Sequence, residues 1–236
     1  MLDVNNTHQM TYNGWIMRVR HATQEPARFM LLLHGWTGDE NSMWVFARRF
    51  PADIWIAAPR GPHPADGSGY SWRALQPGTL RHGFDALSPT AQGNAWGLPT
   101  LSDLKPAADS LIRLVDDVSA SIGVDAAQFD VAGFSQGGAL TNLLALLYPE
   151  RIRRAAVLAG FMPGGTEELI ARQPLIGKRF FVTHGNQDEL IPVERARQSI
   201  HLLEQAGAQV TFCEAEVGHK VGADCLRSLE AFWRNA

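Results

Sequence analysis

Ser135, Asp188 and His219 are the residue types from which one kind of chemistry can be assembled. A serine hydroxyl is a weak nucleophile until a base takes its proton, and an imidazole is a suitable base only when an acid holds its other nitrogen in the right tautomer. The three occur in the order Ser, Asp, His, each in a loop that follows a stretch of strand character. That chemistry is acyl transfer, with the serine attacking a carbonyl carbon and the imidazole carrying the proton.

The serine stands in Gly133-Phe134-Ser135-Gln136-Gly137. In a chain with 22 glycines this bare pattern is weak. Its flanks carry the weight. An apolar run at 129–132 precedes it, and Ala139, Leu140, Leu143, Leu144 and Leu147 follow at helical spacing. The reading is strand, sharp turn and helix, with Ser135 at the apex and Gly133, Gly137 and Gly138 keeping the crowded neighbours small. At the start of the helix the N–H of Gln136 faces whatever Ser135 attacks, which is half of an oxyanion hole. The run at 28–33 ends in His34-Gly35-Trp36-Thr37-Gly38, and the N–H of Trp36 in that glycine turn is the second expected donor. A plain turn before a helix at 41–50 is the alternative.

The other histidines fit the base less well. His34 lies at the end of the oxyanion strand, His184 is read as packing its own loop, and His201 sits on the exposed side of a helix. His8, His21, His63 and His82 all precede the serine. Asp130 is inside a strand, Asp125 precedes it and Asp224 is in the last helix, so Asp188 is the expected acid.

Alternation of strand and helix must position these loops. An Asn13-Gly14 turn between apolar segments over 9–20 predicts an edge hairpin. Strands are expected at 28–33, 53–58, 129–132, 154–159, 180–183 and 209–213, with helices at 106–122, 194–206 and 222–233. This pattern implies an α/β fold with a largely parallel sheet. Between about 60 and 101 lies a stretch rich in Gly and Pro with Tyr70, Trp72, Phe84 and Trp96, read as a loop or lid over the site. Trp72 is a candidate substrate contact, with a packed core role as the alternative. Phe161 and Met162, after the strand at 154–159, either line an acyl pocket or serve the core.

At 236 residues, 45% hydrophobic and 19% charged, one domain spanning 1–236 is expected. A net charge of −3 argues against a nucleic-acid partner. Cys213 and Cys225 have no metal-ligand spacing and read as two small buried residues, so neither a metal nor a cofactor is expected. The first residues lack a basic region followed by an apolar one, and the longest greasy run is too short to span a bilayer, so no membrane insertion and a cytoplasmic location are expected. Oligomeric state is not legible.

Several segments resemble the phospholipase/carboxylesterase group of α/β-hydrolases, which includes acyl-protein thioesterases. They are L-L-H-G-W-T-G at 32–38, A-P-R-G-P at 58–62, G-F-S-Q-G-G at 133–138, H-G-N-Q-D-E-L-I-P-V at 184–193 and G-H-K at 218–220. The resemblance implies an α/β-hydrolase fold and an esterase with nucleophile Ser135, acid Asp188, base His219 and oxyanion donors Trp36 and Gln136. It further implies that Phe161, Met162, Leu190 and Ile191 border the acyl site and that the substrate is a small-molecule ester. The G-Y-S-W-R segment at 69–73 and a bulky Trp36 depart from the family pattern.

Overall fold

The computed structural model describes residues 7–47, 50–65, 67–74 and 98–234. An eight-stranded sheet organises them. The strands are β1 (Thr7–Tyr12), β2 (Trp15–Arg20), β3 (Arg28–Leu33), β4 (Ile54–Pro59), β7 (Phe129–Phe134), β8 (Ile152–Leu158), β9 (Arg179–Gly185) and β10 (Gln209–Ala215). Their spatial order is β1-β2-β4-β3-β7-β8-β9-β10. The pairs β1/β2 and β2/β4 are antiparallel; from β4 through β10 all neighbours are parallel. The edge hairpin turns through Asn13 (φ 48°) and Gly14 (φ 82°), the left-handed pair that a two-residue turn of this type demands.

Helices cover both faces, which is why the inner strands read as unbroken apolar runs. Alternation still sorts their side chains. Phe29, Leu31 and Leu33 of β3 pack into one core with α2 (Leu101–Ile122), α3 (Gln136–Leu147) and α5 (Val193–Gln205), whereas Met30 and Leu32 join Leu229, Phe232 and Trp233 of α6 (Ala223–Arg234) on the other side.

Three helices differ most from the sequence expectation. Of the helix expected over 41–50, α1 (Trp44–Ala47) is the helical part among the described residues. Helix α2 begins at Leu101, five residues before Pro106. A reciprocal capping box makes this possible: the Thr100 side chain accepts from the N–H of Asp103, and the Asp103 carboxylate accepts from the N–H of Thr100. It offsets the one hydrogen bond that Pro106 removes near the helix start. A short helix, α4 (Glu167–Ala171), falls where no element was expected. In the long stretch after β4, the strands β5 (His63–Pro64) and β6 (Tyr70–Ser71) pair as a small antiparallel ribbon, and Phe84 and Trp96 lie outside the described residues.

The reading of Cys213 and Cys225 as two separate buried thiols is overturned: they form a disulfide joining β10 to α6. Spacing in sequence could not reveal it, because the Cα atoms come within 5.5 Å only when α6 packs back against β10. The bridge closes a loop of about a dozen residues that contains His219. Such a loop predicts a contribution of about 3 kcal/mol through restriction of the unfolded chain. Reduction and alkylation should therefore lower the melting temperature by about 6–12 °C in calorimetry. An unchanged melting temperature would show that the link adds nothing.

Candidate active site

The loops that leave the carboxyl ends of β3, β7, β9 and β10 converge, where parallel sheets place their sites. Ser135 sits between β7 and α3 at φ 53°, ψ −114°, a conformation costly for a residue with a side chain. The surrounding structure enforces it. A Cβ on Gly133 would lie 2.0 Å from the Gly137 carbonyl oxygen, and one on Gly137 would lie 2.2 Å from that of Leu33. The N–H of Ser135 donates to the Leu158 carbonyl at 2.9 Å, anchoring the elbow to β8. Gln136 opens α3, so its N–H has no acceptor within the helix.

The turn after β3 abuts the serine. A Cβ on Gly35 would come within 3.3 Å of the Ser135 Cβ. This turn is braced from beneath. His34, 1% exposed, donates from Nδ1 to the Gly35 carbonyl at 2.7 Å and accepts the N–H of Gly61 at Nε2 at 2.8 Å. One neutral tautomer serves both bonds, and burial pulls the pKa of His34 below its ordinary value, against the opposing pull of the Gly35 carbonyl. Trp72 donates its indole N–H to the His34 carbonyl at 2.8 Å, and the Gln136 side chain accepts the Trp72 backbone N–H at 3.0 Å. Trp72 is 1% exposed. It therefore backs the turn from inside the core and is not presented to a substrate. The bracing role of the Gln136 amide has no sequence signal beyond its place beside Ser135.

Asp188 and His219 meet across the β9 and β10 loops. The His219 Nδ1 lies 2.6 Å from Asp188 Oδ2. The other carboxylate oxygen, Oδ1, accepts the backbone N–H groups of Leu190 and Ile191, both at 2.9 Å. His184 Nε2 adds a contact at 3.2 Å to Oδ2 while lying 2.7 Å from the Ile191 carbonyl. Burial opposes ionisation of Asp188, but hydrogen bonds from His184, His219 and the Ile191 N–H outweigh it and hold the carboxyl well below the usual carboxylate range. The two loops are pressed together at Gly185, whose Cβ would sit 2.1 Å from the Val217 carbonyl oxygen. The His219 ring packs 5.0 Å, centroid to centroid, from that of Phe134, the residue before Ser135.

The remaining candidates divide. Leu190 is half-buried and Ile191 is buried, and both hold Asp188 through backbone N–H groups. Phe161 and Met162 line a cavity of about 330 Å³ with Leu98, Ile170 and Leu202. Beside the Ser135 elbow lies a second recess of about 400 Å³, walled by Trp36, Met43, Val45, Phe46, Phe134 and Val221, with Lys220 at its edge. Sequence reasoning missed this groove, since Val45 and Phe46 belong to a short helix with no chemical motif. His184 was also missed as an Asp188 partner, because nothing in the sequence says which way its ring points.

A mostly parallel sheet, helices on both faces and these loop positions define an α/β-hydrolase fold. The chain belongs to the phospholipase/carboxylesterase family, whose profile matches residues 98–235. It is 31% identical to a probable carboxylesterase of rice, Oryza sativa subsp. japonica, over 57% of this chain and 54% of that protein. It is 28% identical to acyl-protein thioesterase 1 of Kluyveromyces lactis over 75% of this chain and 77% of that protein. The chain spans about half the length of the plant carboxylesterases it matches. In three dimensions it is similar to a carboxylesterase from Mesorhizobium loti, with a TM-score of 0.75 and 21% identity over 98% of this chain and all of that one (100%). Among the described residues no helix is long and apolar enough to cross a membrane.

Proposed function

We propose that the protein hydrolyses carboxylic esters of small to medium acyl groups through an acyl-enzyme on Ser135. The observation that carries the reading is the 2.6 Å contact between Asp188 and His219, made beside the strained elbow that presents the serine. An ionised Asp188 accepts the Nδ1–H of His219, which leaves Nε2 with a lone pair to take the Ser135 proton. The Ser135 oxygen then attacks the ester carbonyl, and the N–H groups of Trp36 and Gln136 receive the oxyanion. Collapse breaks the bond to the alcohol oxygen, to which His219 returns the proton. Water repeats the sequence on the acyl-enzyme, releasing the acid and restoring Ser135.

In this reading the groove of Trp36, Phe46, Phe134 and Val221 takes the apolar part of the substrate. It adjoins the elbow, and about 400 Å³ lies within the range of small-ligand sites. An apolar wall favours uncharged acyl groups over peptides. Thioester hydrolysis is the second reading, favoured by the similarity to the Kluyveromyces thioesterase; the same three side chains serve it.

A fluorophosphonate probe together with a panel of p-nitrophenyl esters, acyl thioesters and peptide anilides tests the proposal. Expected are covalent labelling at Ser135 and turnover of esters with an optimum at short to medium chain length. Absence of labelling and of turnover on every substrate, together with tight binding of a small molecule, would instead identify a non-catalytic ligand-binding protein.

A further inference from the structure

At the opposite end of the sheet from Ser135 the structure gathers five arginines around one concavity. Arg28 opens β3, Arg153 and Arg154 lie near the start of β8, Arg179 opens β9 and Arg234 ends α6. Together they line a pocket of about 620 Å³ in which Asp53 is the one acid among the described lining residues. Strands of six to seven residues put this pocket about 20 Å from the Ser135 elbow.

The arrangement follows from strand register. Asp130 on β7, Arg154 on β8 and Arg179 on β9 are direct in-register partners across three parallel strands. Two guanidinium groups side by side in a sheet repel each other. Buried Asp130 and half-buried Asp53 moderate this. Asp130, 0% exposed, accepts from Arg153 and Arg154 and lies 3.8 Å from Arg28. Asp53 takes a two-pronged contact from Arg28, at 2.5 and 3.1 Å. Aromatic packing helps as well, with Arg154 and Arg179 lying 5.7 and 5.5 Å from the Phe232 ring centroid.

A purely structural reading makes the arginines clamps on Asp130. One or two would suffice for that. A carboxylate offers about four lone-pair sites, whereas each guanidinium carries five N–H donors and a permanent charge. The carbonyls of Phe232 and Trp233, which also receive Arg154, satisfy donors without adding charge. Arg153 keeps a third of its side chain exposed and Arg234 is exposed. In a chain of net charge −3, such a local concentration of cations around a concavity is suited to recognising an anion.

We propose that this pocket binds a compact phosphorylated ligand bearing two or more phosphoryl groups. Planar guanidinium forks match phosphoryl oxygens two at a time, and several of them converging discriminate an oligo-anion from a single phosphate. The site is separate from the hydrolase chemistry and does not depend on it. A soluble polyphosphate or nucleotide and a phosphorylated lipid headgroup share this chemistry.

Calorimetric titration of the whole protein with inorganic orthophosphate, pyrophosphate and tripolyphosphate tests the site. Saturable binding is expected, tighter for tripolyphosphate than for orthophosphate and weakening as salt is raised. Arg234→Gln, which replaces an exposed side chain and leaves Asp53 and Asp130 paired, should weaken binding about ten-fold at an unchanged melting temperature. Arg179→Gln combined with Arg234→Gln should abolish it, and the double lysine variant should restore part of it. Ester turnover should be unaffected throughout. Sedimentation with phosphatidylcholine vesicles, with and without a phosphatidylinositol bisphosphate, separates the sources: capture by the phosphorylated vesicles identifies a lipid headgroup, and binding of the soluble anions alone identifies a free ligand. Lack of saturable binding, or equal affinity in wild type and Arg234→Gln, would overturn the proposal.

Discussion

Replacing Ser135 by alanine should lower kcat on the best p-nitrophenyl ester by on the order of a million-fold, about 8 kcal/mol of transition-state stabilisation. The substitution removes the oxygen that forms the acyl bond in the proposed mechanism, while the elbow that holds it stays in place. Gly133 and Gly137 still permit the close approach of β7, α3 and β3, so the variant should fold and melt normally. Residual acceleration from binding and the oxyanion donors is expected to be about 10³- to 10⁴-fold over water. Changing His219 to alanine should cost a similar factor, and the double variant little more, because the two residues act as one unit. Stopped assays on matched protein, with fluorophosphonate labelling as a second readout, measure this. A Ser135→Ala enzyme retaining a tenth of the wild-type rate would mean that the nucleophile lies elsewhere.

Asp188→Asn should cost about 10⁴-fold, about 5 kcal/mol, with the fold intact. The hydrogen-bond pattern supplies the reason. Leu190 and Ile191 both donate N–H groups to Oδ1. An asparagine would turn its carbonyl toward them and its amide N–H groups toward His184 and His219. The Nδ1 of His219 would then be an acceptor, so the proton would move to Nε2, the nitrogen that must receive the proton of Ser135. The same substitution should change the acid side of the stability profile. Asp188 has a folded pKa below its unfolded value of about 4, so its contribution to stability is present above that value and is lost as the pH falls through it toward the folded pKa. Urea midpoints of the wild type should therefore drop more steeply below about pH 4 than those of Asp188→Asn. Parallel acid slopes would show that the carboxylate adds no net stability.

The elbow was legible because its constraints are local. Glycine at 133, 137 and 138 next to a strand run and a helical repeat leaves few backbones other than a tight strand-to-helix turn, and a Cβ at two of those positions would strike carbonyl oxygens. The edge hairpin was legible for the same reason, in its Asn-Gly turn. Helix α2 starts five residues before the expected 106, because the Thr100–Asp103 capping box upstream sets the boundary. Trp72 was ambiguous because an indole suits a substrate and a core equally well; only its N–H, aimed at the His34 carbonyl, decides for the core.

Taken alone, the order of residues determined which groups are of the types that acyl transfer needs and which stretches alternate as strand and helix, since periodicity, glycine placement and side-chain chemistry act over a few residues at a time. Tertiary structure decided every pairing between segments distant in the chain. His219 reaches Asp188 because β10 lies beside β9 in register. Cys213 bonds Cys225 because α6 folds back on β10. Arg28, Arg154 and Arg179 share one concavity because β3, β7, β8 and β9 are neighbours in the sheet. The physical reason is that strand order is set by burial of both sheet faces under helices, a balance summed over the whole chain and not carried by any one stretch of it.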